Sequence, residues 1–324
     1  MQPWTRRMML RGAACTSLST LLPATRIWGK AASKRQRSGL TLGFGTYGTR
    51  GMKTEAAIKL LAEIGYDAVE LTATEGWDAE PQKMPKSRRT AIRRQIDQSG
   101  LILASLMENL RPSGEKATQE KNIRRLREAA ELAHDLSPQQ PPIIQTVLGG
   151  KNWQQSKQLF VDRLGKWSEV ARSTKTIIAI KPHRGGGMSQ PREAVWLIEQ
   201  LGKNSSIQMC YDYSHYAFRQ LDLKETIRTA LPYLAHVAVK DAVERDGKVT
   251  FVLPGEASTI DYVTLLKTLA AGGYTGDICC EVSSAVWRQP QYDATVAART
   301  CYRNMAAVFK KAGLSRRSIS TDGR

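Results

Sequence analysis

The sequence predicts a single eight-stranded parallel α/β barrel, and three observations carry that prediction. Short apolar or β-branched runs alternate with amphipathic helical stretches eight times between residues 40 and 312. Ile177-Ile178-Ala179-Ile180 contains no polar residue, and so reads as a strand buried on both faces, as parallel strands are. Polar and charged residues follow the runs immediately, which in such a barrel is the mouth where chemistry is done. No G-x-x-x-x-G-K-[ST] occurs, which argues against a P-loop site.

Taken in order, Leu40 to Phe44 is the first strand, ending in Gly45-Thr46-Tyr47-Gly48. Thr54 caps a helix through Ile64, with Ala56, Leu60, Leu61 and Ile64 at helical spacing. Gly65 closes it, and Tyr66 to Leu71 is the second strand. A helix over Ser87 to Ser99 stops at Gly100, and Leu101 to Leu106 is the third strand. Glu115 to His134 is a long helix. The fourth strand, Ile143 to Leu148, ends at Gly149-Gly150. A helix over Gln154 to Ser173 leads to the fifth strand, Ile177 to Ile180, which delivers Lys181-Pro182-His183 and then Gly185-Gly186-Gly187. Pro191 opens a helix to Leu201. Ile207 to Tyr211 is the sixth strand and Leu223 to Leu231 a helix. His236 to Val239 is the seventh strand, followed by a turn-rich segment carrying Leu253-Pro254-Gly255-Glu256. A helix over Ile260 to Ala271, the eighth strand Gly276 to Cys280, and a last helix from about Tyr292 to Lys311 complete the barrel.

The net charge of +18 first suggests nucleic acid, but its location does not. Residues 1–39 carry eight Lys/Arg and no acid, residues 310–324 five against one, and only +6 remains over 40–309. A basic groove is therefore not expected, and the basic stretch Lys83 to Arg94 reads as a solvated helix face. Residues 1–32 read as an address instead. Thr5-Arg6-Arg7-Met8-Met9-Leu10-Arg11 resembles a twin-arginine export signal, and Gly12 to Ala24 is too short and too rich in Ser/Thr to span a bilayer. The expectation is an exported, periplasmic protein: a signal segment at 1–32, a basic linker at 33–39, one barrel domain at 40–312, and a disordered tail at 313–324. No later segment is long enough to cross a membrane. The cysteines show no C-x-x-C spacing, and adjacent Cys279 and Cys280 point to opposite faces of one strand, so they read as small core residues.

At the strand ends the polar residues form one ring: Glu70, Glu108 and Asn109, Lys181 and His183, Asp212 and His215, Lys240 and Asp241, and Glu281. There the chain resembles the xylose-isomerase-like TIM-barrel superfamily, which includes sugar phosphate isomerases and epimerases. The resemblance covers roughly residues 40–309. It rests on Gly65-Tyr66-Asp67-Ala68-Val69-Glu70-Leu71, Asp212-Tyr213-Ser214-His215-Tyr216, Val239-Lys240-Asp241, and Gly273-Tyr274-Thr275-Gly276 leading to Glu281. With only four histidines, the chain does not suit the multi-zinc nuclease branch of that superfamily.

In the sugar branch, a divalent ion is held by Glu, Asp, His and Glu after strands five to eight, and the two Glu also move the proton between adjacent carbons. Asp212 and Glu281 match the second and fourth positions. Lys181 occupies the first and Ala238 the third. The remaining half-site of Asp212 and Glu281 would need completing to hold Mn, Mg or Zn, and a lysine ammonium within it repels an ion. The resemblance therefore implies either a metal-independent isomerase or epimerase, or a non-catalytic sugar-binding barrel that has lost its metal. In the first, Lys181 stands in for the ion and pairs with Asp212 and Glu281, while Glu281 or His183 moves a proton alpha to a carbonyl. His215 and Lys240 match positions that touch substrate hydroxyls in the family. Glu70 joins them at the mouth, and Trp153 and Trp287 offer aromatic faces to a sugar ring. The expected partner is a small carbohydrate or cyclitol, with no nucleic acid and no membrane span; oligomeric state is open.

Overall fold

In a computed structural model describing residues 39–140, 142–202 and 206–316, eight parallel strands close into a barrel. They are β1 (Thr41–Gly45), β2 (Ala68–Thr72), β3 (Ile102–Met107), β4 (Ile143–Thr146), β5 (Ile177–Ile180), β6 (Ile207–Tyr211), β7 (Leu234–Val239) and, after a hairpin, β10 (Asp277–Cys280). Each pairs with its neighbours in chain order, and β1 closes on β10 from Thr41↔Asp277 to Phe44↔Cys280. The hairpin is β8 (Asp241–Arg245) and β9 (Lys248–Val252), antiparallel, in what the sequence suggests is a turn-rich connection. Asp246 and Gly247 both take positive φ at its tip, the geometry a two-residue hairpin loop needs, so Asp-Gly was the available signal.

The outer ring comprises α1 (Thr54–Ile64), α2 (Lys86–Ser99), α3 (Lys116–Leu136), α4 (Trp153–Ser173), α5 (Pro191–Gln200), α6 (Leu223–Ala230), α7 (Tyr262–Ala271), the short α8 (Ser284–Trp287) and α9 (Ala294–Ala312). Gly65 and Gly100 stop α1 and α2 in the left-handed conformation. Thr54 is the first residue of α1 rather than its cap: the Thr54 N–H and hydroxyl both donate to Asp78 Oδ2 at 2.8 Å, so a carboxylate from the loop after β2 serves the helix start. The expected solvated face over Lys83 to Arg94 is likewise partly folded in. Arg89 is buried and pairs with Asp135 at 2.8 Å, because α3 packs on α2 there.

The signal segment expected at 1–32, residues 33–38 of the linker, and 317–324 of the tail lie outside the described residues. The chain does not leave the barrel at 313. Arg316 donates to Gly65 O at 3.1 Å and to Tyr302 Oη at 3.0 Å, and it bridges to Leu40 beside β1. No helix among the described residues is long and apolar enough to cross a membrane.

The apolar core lies between strands and helices, where Phe44, Leu71, Leu106, Ile180, Tyr211 and Ile278 meet the helical layer. The barrel interior is different. Apart from Ile102, the buried apolar inward positions carry small residues: Gly43, Ala68, Ala104, Ala179, Cys210, Ala238 and Cys279. Bulky branched residues usually fill that space. Here long polar side chains take it.

Candidate active site

Alternation along a strand decides which side chains enter the barrel. Ala179, Cys210, Ala238 and Cys279 point inward, so the residues two further on, Lys181, Asp212, Lys240 and Glu281, point inward at the mouth. They meet there. Lys181 Nζ hydrogen-bonds Glu281 Oε2 and lies 4.0 Å from Asp212 Oδ2. Lys240 Nζ hydrogen-bonds Asp212 Oδ2 and also donates to Glu281 Oε1 at 2.8 Å. Two ammonium groups and two carboxylates thus form one closed, charge-balanced quartet.

Two imidazoles adjoin it. His215 Nε2 is 3.2 Å from Lys240 Nζ and 3.4 Å from Asp212 Oδ2, and the His183 ring stacks on the His215 ring with centroids 4.0 Å apart. The Arg184 N–H donates to His215 Nδ1 at 3.2 Å, so neutral His215 carries its proton on Nε2. His183 Nδ1 lies 2.8 Å from the Arg184 carbonyl, which can only accept, so neutral His183 has its lone pair on Nε2. Phe251, from the hairpin, covers the pair: its ring centroid is 5.0 Å from Lys240 Nζ and 5.0 Å from the His215 ring.

The electrostatics follow from burial against pairing. Burial opposes the Lys181 charge, but Glu281, with a smaller contribution from Asp212, holds its pKa above the usual lysine value. Burial raises the Glu281 carboxyl, yet Lys181 and Lys240 outweigh it and hold the group well below the carboxylate range. His183 is pushed down to about 4 by burial and by Lys240 and Lys181, and His215 falls well below its ordinary value for the same reasons. Both rings are neutral at pH 7.

Access separates the roles. Lys181 is 2% exposed, Lys240 1% and Asp212 0%, whereas Glu281 is 8% exposed and His183 is only part-buried. Glu281 and His183 are therefore the groups at the solvent edge, with the lysines behind. Lys240, expected to touch substrate hydroxyls, is committed to Asp212 and Glu281, because the barrel's small interior residues let its chain bend inward. Buried His215 backs Lys240 in the same way.

Beneath the quartet lies a second polar group. Ser105 Oγ donates to Glu70 Oε2, and His236 Nε2 is 3.1 Å from the same oxygen. Register shifts at Val69/Glu70 and at Met209/Cys210 bring Ser105 and His236 into this position. Glu70 is thus bound inside the barrel, 2% exposed, and does not reach the mouth where the sequence reading placed it. Beside it, buried Gln145 Nε2 and His236 Nδ1 have no protein partner among the described residues.

The tryptophans divide. Trp153 starts α4 and packs edge-on against Trp196 of α5, with centroids 5.4 Å apart, so it belongs to the helical layer. Trp287 stands at the mouth, but its ring already carries Arg50 at 5.3 Å and Arg288 at 5.2 Å. The glycine run packs against α4: a Cβ on Gly187 would lie 2.9 Å from Ser156 Oγ. Sequence reading missed Phe251 and Arg50, which carry no motif. It also missed Arg125 of α3, whose guanidinium Nη2 donates to both Glu108 oxygens at 2.7 and 3.0 Å.

A divalent ion does not suit these residues. Both Glu281 oxygens and Asp212 Oδ2 accept from two ammonium groups, Asp212 Oδ1 accepts from the N–H and hydroxyl of Ser214, and among the described residues no three His, Cys, Asp or Glu side chains are arranged to hold a metal. The positive charge a metal would supply is already present on carbon chains.

A family model described as xylose isomerase-like TIM barrel matches residues 58–305. A Mus musculus protein named as a candidate hydroxypyruvate isomerase is 28% identical over 94 residues; the match spans 29% of this chain and 31% of that protein's length. Among solved structures, D-psicose 3-epimerase with D-tagatose from Clostridium cellulolyticum H10 is similar at a TM-score of 0.66, with 14% identity, 83% of this chain and 98% of that one covered. A xylose isomerase-like TIM barrel protein from Mycobacterium smegmatis in complex with magnesium matches at 0.64, with 17% identity and 84% and 97% coverage. At such identities the structural likeness is one of fold.

Proposed function

Because the chain belongs to the xylose isomerase-like TIM barrel family, we propose that it acts on a carbohydrate or cyclitol by moving a proton alpha to a carbonyl, without a divalent ion. The observation that carries this reading is the Lys181–Glu281 contact, with Lys240 spanning Glu281 and Asp212, where relatives in the sugar branch place their metal. The naming of similar proteins as a sugar epimerase and a hydroxypyruvate isomerase supports the reaction class.

His183 Nε2, neutral and at the solvent edge, takes the carbon-bound proton. The C–H electron pair moves into the adjacent C–C bond as the carbonyl pair moves onto oxygen, giving an enediolate. Lys181 and Lys240, fixed behind Glu281, offset that negative charge in a site already dry. For isomerisation His183 returns the proton to the neighbouring carbon as the hydroxyl proton passes to the enediolate oxygen; for epimerisation the same carbon takes a proton from the other face, delivered by water because ionised Glu281 carries none.

Deuterium uptake from D2O into D-fructose, D-tagatose, L-ribulose and hydroxypyruvate tests this by NMR. The expected result is uptake into at least one of them, unchanged by EDTA and lost in Lys181→Met. Uptake that requires added Mn, Mg or Zn, or stoichiometric metal in the pure protein, overturns metal independence.

A second reading is favoured by one specific feature. Phe251 covers Lys240 and His215, and both carboxylates are saturated, as in a structural plug. In that case the protein binds a sugar without converting it, and binding persists with no deuterium uptake across the panel.

Export is part of the proposal, supported by Arg6-Arg7 and the apolar stretch after them. Cell fractionation should place the protein in the periplasm, and replacing both arginines by lysine should retain it in the cytoplasm.

A further inference from the structure

Beside the quartet, a cleft of about 450 Å3 opens between the ends of β1 and β2 and the start of α1. Thr46, Thr49, Thr72, Arg50, Lys53 and Lys83 line it, along with Trp77 and Asp78. Gly48, between its lining residues Thr46 and Thr49, links it to the candidate active site. Val282, next to Glu281, packs so closely on Gly48 that a Cβ there would meet it at 2.8 Å.

The charges in this cleft are matched except one. Asp78 is held by Lys53 at 3.1 Å, by Arg88, and by the N–H and hydroxyl of Thr54. Lys83 lies 3.2 Å from Glu80. Arg50 has no carboxylate partner and no hydrogen bond among the described residues, and it is exposed. Its guanidinium is nonetheless held in place: Cζ sits 4.7 Å from the Trp77 ring centroid and 5.3 Å from that of Trp287, whose rings meet edge to face at 6.0 Å. Tyr47 closes the group, 4.9 Å from Trp77 and 5.6 Å from Trp287. A guanidinium held over an indole face by cation–π attraction keeps its N–H donors for other partners, and two of them can take both oxygens of one anion. Most threonine hydroxyls here are committed: Thr46, Thr49 and Thr54 spend their protons on Thr72, Thr46 O and Asp78, and Thr72, which accepts from Thr46, is buried.

We infer that this cleft is an oxyanion subsite, in which Arg50, fixed by Trp77 and Trp287, receives the carboxylate or phosphate of a polyol substrate. The inference rests on the proposed function for the polyol end, which reaches toward Glu281 and His183. It explains why Trp287 does not offer a sugar a bare face: the ring holds the arginine.

The test is calorimetric titration of the full chain at pH 7 and low salt with D-glucitol, D-gluconate and D-glucitol 6-phosphate. These probes share one carbon skeleton and differ in charge. The expected result is at least about tenfold tighter binding of an anionic probe than of D-glucitol, the range of charge-assisted hydrogen bonds. Whichever of gluconate and the 6-phosphate binds better identifies the group as carboxylate or phosphate. In Arg50→Gln the preference should vanish, and in Arg50→Lys, which keeps the charge without the planar fork, it should fall part of the way. Equal affinity for all three probes, no binding of any, or a preference that survives in Arg50→Gln overturns the inference. Because this reads binding alone, an anion preference without deuterium uptake from D2O would refute the catalytic reading and leave the subsite standing.

Discussion

Replacing Lys181 with methionine tests whether the four buried charges act as one neutral unit. Methionine keeps most of the lysine chain's volume, so lost packing is a minor effect. The loss is the ammonium that touches Glu281. Two carboxylates then share Lys240 alone. An uncompensated buried charge costs about 3–5 kcal/mol, but Glu281 has an escape, because a proton can replace the missing cation. From the ordinary value of 4.5, protonating it costs about 3 kcal/mol at pH 7 and under about 1 kcal/mol at pH 5. The signs in variant and native protein are opposite. Native Glu281 has a depressed pKa, so its contribution to stability is complete above 4.5 and is lost as pH falls below that value. In the variant the group is raised, so its penalty shrinks as pH falls. Urea unfolding at both pH values should show Lys181→Met less stable by about 3 kcal/mol at pH 7 and by about 1 kcal/mol at pH 5. A deficit below about 1 kcal/mol at pH 7, or one independent of pH, would refute the reasoning.

Two other groups carry opposite pH signatures. His183, depressed from 6.5 to about 4, contributes stability above 6.5 that is lost as pH falls toward 4, by up to about 3 kcal/mol; His183→Gln should flatten unfolding free energy across that window, and an unchanged slope would count against it. Burial pushes Glu108 up from 4.5 to about 7, against the pull of Arg125, so its protonated form favours folding and stability is lost as pH rises through 7. Glu108→Gln should remove that loss, measured by unfolding between pH 5 and 8. Gly43→Ala sets a Cβ 2.6 Å from Cys279 Sγ and should cost about 1–3 kcal/mol. Adding Cys279→Ala should relieve most of that cost, and a double variant no better than Gly43→Ala would mean the strain lies in the backbone.

The fold was legible because its signals are local. β5 and β6 fall where the apolar runs of the sequence end, and the left-handed glycines at 65 and 100 stop their helices where expected. At the site, parity along each strand was enough to send Lys181, Asp212 and Glu281 to one mouth. What parity cannot give is how far a long side chain bends. Lys240 reaches sideways to two carboxylates because the inward residues one level below it on β5, β6 and β10 are the small Ala179, Cys210 and Cys279, a fact about three other strands. Ser105 and His236 face Glu70 through register shifts that leave no mark in the sequence. Arg125 lies seventeen positions from Glu108 on a different element, and Phe251 covers the site only because the hairpin folds back.

Lys181 and Lys240 bring to Asp212 and Glu281 the same total charge as one divalent ion, and this makes the substitution more than a loss. The difference lies in what the charge can do. A metal presents an open coordination position and binds the substrate oxygen directly, with affinity set by ion supply. An ammonium is tethered, resists chelators, and acts only through its N–H donors and its field. Lys181, held charged by Glu281, cannot serve as a proton acceptor at neutral pH. In the proposed reaction the acceptor must then be a neutral group at the edge of the site. His183, with Nδ1 bound to a carbonyl and its pKa near 4, meets that condition. Its low pKa makes it a weak base, so the field of the two lysines, which depresses it, must return more through stabilising the enediolate than it takes from the imidazole.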